Sequence, residues 1–143
     1  MFFLRTGDII PGKCIGRIEL GKNVSVLLEH SDDFTIRDLS ECQLYIGADV
    51  QVWVDKTRKM ITQIMVYGDF GGTFMGKFKI GSFLGQIEEW LGESAYEDDD
   101  DVYVFESQKG ICFELEDVEG DWGCMTWVKY NAPIEYISVF LDE

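Results

Sequence analysis

Two acidic stretches hold most of this chain's capacity for chemistry. Glu97-Asp98-Asp99-Asp100-Asp101 sets five carboxylates in succession between Tyr96 and Tyr103, and Glu114, Glu116, Asp117, Glu119 and Asp121 follow, with Trp122 and Trp127 close behind. Carboxylates at this density can hold a hard cation, work as a general acid and base, or present charge to a cationic partner. A calcium loop needs alternating oxygen ligands, a central glycine and a terminal glutamate, and that order is absent. An acid–base pair would fall to Glu114 and Asp117, a combination that arises easily by chance where carboxylates are so common. Consecutive like charges also repel and favour a solvated loop. Aromatic residues beside the carboxylates favour docking, because Tyr and Trp supply desolvated contact area while rim charges steer a basic partner. The expected partner-binding set is therefore Tyr96, Glu97, Asp98, Asp99, Asp100, Asp101, Tyr103, Glu114, Glu116, Asp117, Glu119, Asp121 and Trp122. Trp127, beside Met125 and Val128, reads as a core residue instead.

Other chemistries find little support. His30 is the single histidine, so Ser/His/Asp and Cys/His schemes would all rest on it. It falls at the end of a predicted helix, where an imidazole meets the C-terminal dipole favourably. No GxxxxGK[ST] loop is present to cradle phosphates. Cys14, Cys42, Cys112 and Cys124 form no CxxC pair, so we expect reduced thiols in a cytoplasm rather than a zinc site or disulfides. The expectation is of no enzyme activity, no cofactor and no metal.

Charge and length set the class. Twelve Lys and Arg against 27 Asp and Glu leave a net charge of −15, which repels phosphate backbones and anionic membranes and attracts cationic proteins. No nucleic acid and no membrane is expected as a partner. Hydrophobic residues at 46% are too abundant for a disordered chain, and 143 residues can bury a sizeable core. Met1 to Leu4 is apolar but is interrupted by Arg5, Gly7 and Asp8, too early for a secretory segment, and no apolar run approaches the ~20 residues of a membrane helix. These points predict a cytoplasmic location.

The elements that must position the acidic stretches follow from hydrophobic spacing. Ile18 and Leu20 within Gly16–Gly21, and Phe78 and Ile80 within Gly76–Gly81, alternate with polar residues as strands do. Phe83, Leu84, Ile87, Trp90 and Leu91 form one stripe of a helix over 82–91, capped by Ser82 and ended by Gly92. Gly85 within it implies close packing on a strand or a frayed first turn. Asn23 to His30 reads as a weaker helix because of its β-branched residues, with a strand over 23–29 as the other possibility. Val50, Val52 and Val54 and the run Ile61 to Tyr67 predict a hairpin. Ile111, Phe113 and Leu115 predict another strand, as do Val102–Phe105, Gln43–Ile46 and 122–130. Pro133 opens a last strand burying Ile137, Val139 and Leu141.

These elements recur. Gly16-Arg17-Ile18-Glu19-Leu20-Gly21 and the closing Ile61–Tyr67 match Gly76-Lys77-Phe78-Lys79-Ile80-Gly81 and the closing Ile134–Phe140, offset by 60 and 73 positions. The expected fold is α+β: two related strand–helix–hairpin units, about 14–68 and 74–143, forming antiparallel sheets with one helix each and packed as a single domain over 1–143. In overall character, and in GKFKIGSFLGQIEEWLG leading through KGICFELED to PIEYISVF, the chain resembles the immunity proteins of bacterial toxin systems such as colicins, pyocins and contact-dependent inhibition. The strand, glycine, helix, glycine, hairpin order is also similar to repeats of the β-lactamase inhibitor protein and of outer-membrane-assembly lipoproteins, without their signal peptide and disulfides. The resemblance implies a binding protein that neutralises one cognate, basic toxin domain, a nuclease for example. An adaptor would use the same surface without inhibiting anything.

Replacing Asp98, Asp99, Asp100 and Asp101 by serine is expected to leave folding intact and slow association with the partner, more at low salt than at high. Stopped-flow association at two salt concentrations checks this, and unchanged kinetics would remove the loop from the interface.

Overall fold

A computed structural model describes residues 6–116 and 129–141. Alternation of apolar and polar residues builds most of it. β4 (Thr35–Asp38), β5 (Cys42–Gly47), β6 (Val50–Asp55) and β7 (Met60–Tyr67) form one antiparallel meander. A second meander comprises β9 (Ala95–Glu97), β10 (Val102–Phe105), β11 (Gln108–Leu115) and β12 (Ile134–Phe140). β12 pairs antiparallel with β7, so the two join into one eight-stranded sheet in the order β4-β5-β6-β7-β12-β11-β10-β9. The turns explain the short connections. Asp55 Oδ1 accepts the N–H groups of Thr57 (2.9 Å) and Arg58 (2.8 Å), folding the chain from β6 into β7.

A second, four-stranded sheet is made from short pieces: β1 (Asp8–Ile10), β2 (Cys14–Ile15), β3 (Ile18–Glu19) and β8 (Thr73–Phe74), in the order β3-β2-β1-β8. β1 and β2 form a hairpin about the turn expected at Pro11-Gly12, where the Lys13 N–H donates to the Ile10 carbonyl (3.1 Å). Helices are few among the described residues: α1 (Ser25–Leu28), a single 3₁₀ turn (Ser31–Asp33), α2 (Leu84–Leu91) and a helical stretch at 129–131.

The fold is therefore mostly β, which overturns the expected α+β arrangement of strand–helix–hairpin units. The glycines read as strand flanks are the physical reason. Gly76 (φ +72°) and Gly81 (φ +94°) take left-handed conformations that belong to turns, so 76–81 contributes a single bridge, Phe74 to Phe78, instead of a strand. Ile18, Leu20 and Phe78 are buried as their spacing implied, but mostly from turns. The helix expected over 23–30 shrinks to four residues, in keeping with β-branched Val24 and Val26; Asn23 Oδ1 caps it by accepting the Ser25 N–H (2.9 Å). α2 begins at Leu84, not Ser82, whose hydroxyl accepts the Lys79 N–H, while the Gln86 carboxamide reaches back to the Phe83 N–H (3.1 Å). Trp90, placed in the buried stripe by its spacing, is 61% exposed, with the Lys77 ammonium 3.2 Å from its ring centre. The strand expected over 122–130 falls outside the described residues except at 129–130, which are helical and not extended.

The core lies between the small sheet with its helices and one face of the large sheet. Val50, Val52, Ile64, Val66, Ile137, Val139, Ile111 and Phe113 line that inner face and form one buried cluster with Ile9, Ile15, Leu27, Phe74, Leu84 and Ile87. Phe113 links the two layers, its ring centre 6.0 Å from that of Phe74 and 5.8 Å, edge-on, from that of Phe105. Where the β1–β2 turn crosses β11, backbone meets backbone. The Gly12 N–H donates to the Gly110 carbonyl (3.0 Å), and a Cβ at Gly110 would lie 2.6 Å from Gly12 Cα. Gly110 also has φ +86°. Gly110→Ala should lower stability by about 2 kcal/mol or more, since neither backbone can retreat freely. A urea unfolding midpoint equal to that of the native chain would contradict this packing.

Candidate functional site

The outer face of the eight-stranded sheet lies opposite the core, and its residues follow from the register of each strand pair. One row across the strands reads Arg37, Leu44, Trp53, Gln63, Phe140. The next reads Thr35, Ile46, Gln51, Met65, Ser138, Cys112. A third reads Tyr67, Tyr136, Glu114. Beyond β11, Val102 stands opposite Glu97 and Val104 opposite Ala95. The face thus runs from Arg37 at one edge, through a half-buried apolar and aromatic middle, to carboxylates at the other edge. Tyr67 and Tyr136 lie ring to ring at 5.5 Å, and the Gln51 amide nitrogen reaches the Tyr67 hydroxyl at 3.5 Å.

A cleft of about 500 Å³ opens at the acidic end, lined by Gln63, Phe140, Val102, Val104, Cys112, Ser138 and the carboxylates Glu97, Asp100 and Glu114. No Lys or Arg is among its described lining residues. Burial raises the Glu114 carboxyl above the usual glutamate range, and the negative charges of Asp101 and Glu135 add to the effect. Burial, reinforced by Glu114, pushes the Cys112 thiol up to about 12, against a hydrogen bond with Ser138 that pulls the other way. The Cys112 thiol therefore stays protonated at neutral pH.

The acidic edge is a built structure. Tyr96 packs on Tyr103 with ring centres 5.0 Å apart, and its hydroxyl donates to Asp101 Oδ1 (2.5 Å) across the turn between β9 and β10. That bond holds the Tyr96 phenol protonated, its pKa raised to about 12. The chain entering β9 is fixed by Glu88 of α2, whose Oε2 accepts from the Ser94 N–H (2.7 Å), the Ser94 hydroxyl (2.8 Å) and the Lys129 ammonium (2.9 Å). Burial alone would raise the Glu88 carboxyl, but these donors outweigh it and hold it below the usual glutamate range.

Of the residues singled out in sequence, Glu97, Asp100 and Glu114 come together at the cleft. Asp98 and Asp99 are exposed in the turn, Asp101 is engaged by Tyr96, and Glu116 is exposed beyond the end of β11. Tyr103 faces inward opposite Phe113 and is 7% exposed, so its ring belongs to the core and offers no surface anchor. Asp117, Glu119, Asp121 and Trp122 lie outside the described residues. Sequence reasoning missed Trp53, Met65, Tyr67, Tyr136 and Phe140. The signal was present: on a half-buried strand the outward positions should be polar, and here these five large aromatic or apolar residues stand among the polar Gln51, Gln63 and Ser138.

Among the described residues no group of three or more His, Cys, Asp or Glu is arranged to hold a metal ion, and no helix is long and apolar enough to cross a membrane. No protein-family model matches the chain, and no curated protein matches it in sequence. Solved structures similar in fold include these two. The uncharacterized protein yfeY from Escherichia coli superposes with a TM-score of 0.59 at 12% identity, covering 94% of this chain and 99% of that one. A cysteine-rich secretory protein, SAV1118, from Staphylococcus aureus subsp. aureus Mu50 gives a TM-score of 0.52 at 13% identity, covering 99% of this chain and 51% of that one. At such identities the likeness is one of fold alone.

The thiols provide a direct check on the outer face. In a Cys124→Ser background, half-buried Cys42 should react with a disulfide reagent at pH 8, while buried Cys14 and Cys112 should react only in denaturant. Mass-spectrometric mapping of the labelled cysteines reads this out, and labelling of Cys112 as fast as that of Cys42 would contradict it.

Proposed function

We propose that this chain is a non-enzymatic binding protein of the cytoplasm that neutralises a cognate basic toxin domain, for example a nuclease, by covering its active site or an exosite with the outer face of the eight-stranded sheet. The observation that carries the reading is the composition of that face: Trp53, Met65, Tyr67, Tyr136 and Phe140 stand where polar residues belong, and the strip runs into Glu97, Asp100 and Glu114. Large apolar side chains on one sheet face lower the free energy only when covered, and aromatic side chains dominate the binding energy of protein interfaces. Eight strands at about 4.8 Å spacing span roughly 34 Å, broad enough for the roughly 800 Å² per partner of a standard interface. The net charge of −15 favours a cationic partner and accelerates its approach. A nuclease domain fits because the groove that holds its phosphate backbone is basic, and carboxylates at one end of an apolar strip would occupy it.

A basic protein captured from the native cells at unit stoichiometry is expressed alone and together with this chain. We expect growth arrest from the partner alone, rescue by the native chain, and loss of rescue by the double variant Trp53→Ala/Tyr136→Ala that still unfolds cooperatively. A captured partner that is not toxic, or rescue undiminished by the double variant, would overturn the proposal.

A further inference from the structure

We propose that the cleft at the acidic end of the outer face receives an arginine side chain of the protein partner, its aliphatic stem along Val102, Val104 and Phe140 and its guanidinium among Glu97, Asp100 and Glu114. The inference rests on the binding reading above and names what that face grips. The cleft combines two wall chemistries that a single side chain of this kind would satisfy together. Its apolar walls come from alternate positions of β10 and from the end of β12. Its carboxylates come from three separate places: Glu97 in β9, Asp100 in the following turn and Glu114 near the end of β11. Arginine carries a methylene stem and a planar fork of five donors that pairs with carboxylates two bonds at a time, and it is less strongly hydrated than an ammonium group. A metal ion would find no such use for Val102, Val104 and Phe140, and no metal-holding cluster is present among the described residues.

Glu114 distinguishes this arrangement from ordinary surface acidity. It lies in a strand, half-buried, facing Glu97 from β9, Asp100 and Asp101 from the turn, Glu135 and Tyr136 from β12, and Cys112 on its own strand. None of these groups is cationic. Burial and like charge hold its carboxyl above the usual range, so the ionised form weakens the fold at neutral pH. The sign follows directly: with the folded value raised, the stability Glu114 contributes is present in acid and lost as pH rises through that value. An incoming guanidinium would reverse the imbalance. Removing the charge at Glu114 should therefore strengthen the fold and weaken the binding, a pairing of effects that a purely structural carboxylate would not give.

The test titrates the native chain with acetyl-Gly-Arg-Gly-amide and follows the amide signals of Cys112, Glu114 and Ser138 by NMR, with citrulline and lysine peptides as controls. Expected are saturable shifts at these three residues with arginine, weaker binding of lysine and none of citrulline. Glu114→Gln should lose at least about tenfold in affinity while unfolding at a higher temperature at pH 7, and Glu89→Gln, exposed on α2 away from the cleft, should bind as the native chain does. Equal shifts from arginine and citrulline peptides, lysine binding as tightly as arginine, or unchanged affinity in Glu114→Gln would each overturn the assignment. If it fails while Trp53→Ala/Tyr136→Ala still abolishes rescue, the arginine cleft falls and the binding function stands. If rescue fails while the arginine peptide binds as described, the neutralising function falls and the cleft stands.

Discussion

The pairing of β7 with β12 is the constraint on which the rest of the molecule depends. It sets Ile64 opposite Val139 and Val66 opposite Ile137 on the inner face, and Met65 opposite Ser138 and Tyr67 opposite Tyr136 on the outer face. Side chains alternate along a strand, so a slip of one residue would exchange these two sets and place the serine and tyrosine against the core. Burying Ile64, Val66, Ile137 and Val139 is worth roughly 1.5–3 kcal/mol for each side chain, which is what locks the register. The same lock joins two four-stranded meanders into a single eight-stranded sheet. It also fixes where the acidic edge stands relative to the aromatic strip.

The two faces of the sheet consequently differ in kind, and the proposed binding surface is the one that faces away from the core. The inner face is closed by the small sheet and α2, with Phe113 at the contact between layers and the Gly12–Gly110 crossing pinning the β1–β2 turn to β11. The outer face keeps large side chains half-buried against one another, and its carboxylates face each other across a cleft without a described lysine or arginine among them. That surface is held in place by structure elsewhere. Glu88 draws Ser94 and Lys129 together at the end of α2, and Tyr96 braces Asp101, so the edge that bears Glu97 and Asp100 is positioned before any partner arrives. A preformed acidic edge reduces the ordering that association would otherwise require.

Much of the local structure was legible in the residues. The valines of β6, the run of β7, and Ile137 and Val139 of β12 gave strands and their inward faces from period two alone, and Gly92 marked the end of α2. The balance of helix and strand was not legible. Turn glycines with positive φ look like strand flanks in sequence, and the four-residue α1 shows that a short amphipathic run yields to tertiary context. Trp90 fitted the helical stripe but lies beyond the edge of what the core covers, where Lys77 caps its ring. Gly85 did mark close packing, but against the ring of Tyr130 in a helical stretch and not against a strand. Of the site, the acidic runs were plain, but only the register could show that Glu97 and Glu114 share a face while Tyr103 points the other way. The aromatic strip was hidden because its members come from three strands distant in sequence.

The fold shared with yfeY says how such a sheet is built and leaves its use to the side chains on the outer face. The central claim is that this face is the binding surface, and side-chain footprinting by hydroxyl radicals, with and without the bound partner, tests it most directly. We predict that Trp53, Met65, Tyr136 and Phe140 lose reactivity in the complex while Trp90 on α2 and Leu28 on α1, both exposed, keep theirs. Protection of Trp90 and Leu28 with the outer face still reactive would contradict the account.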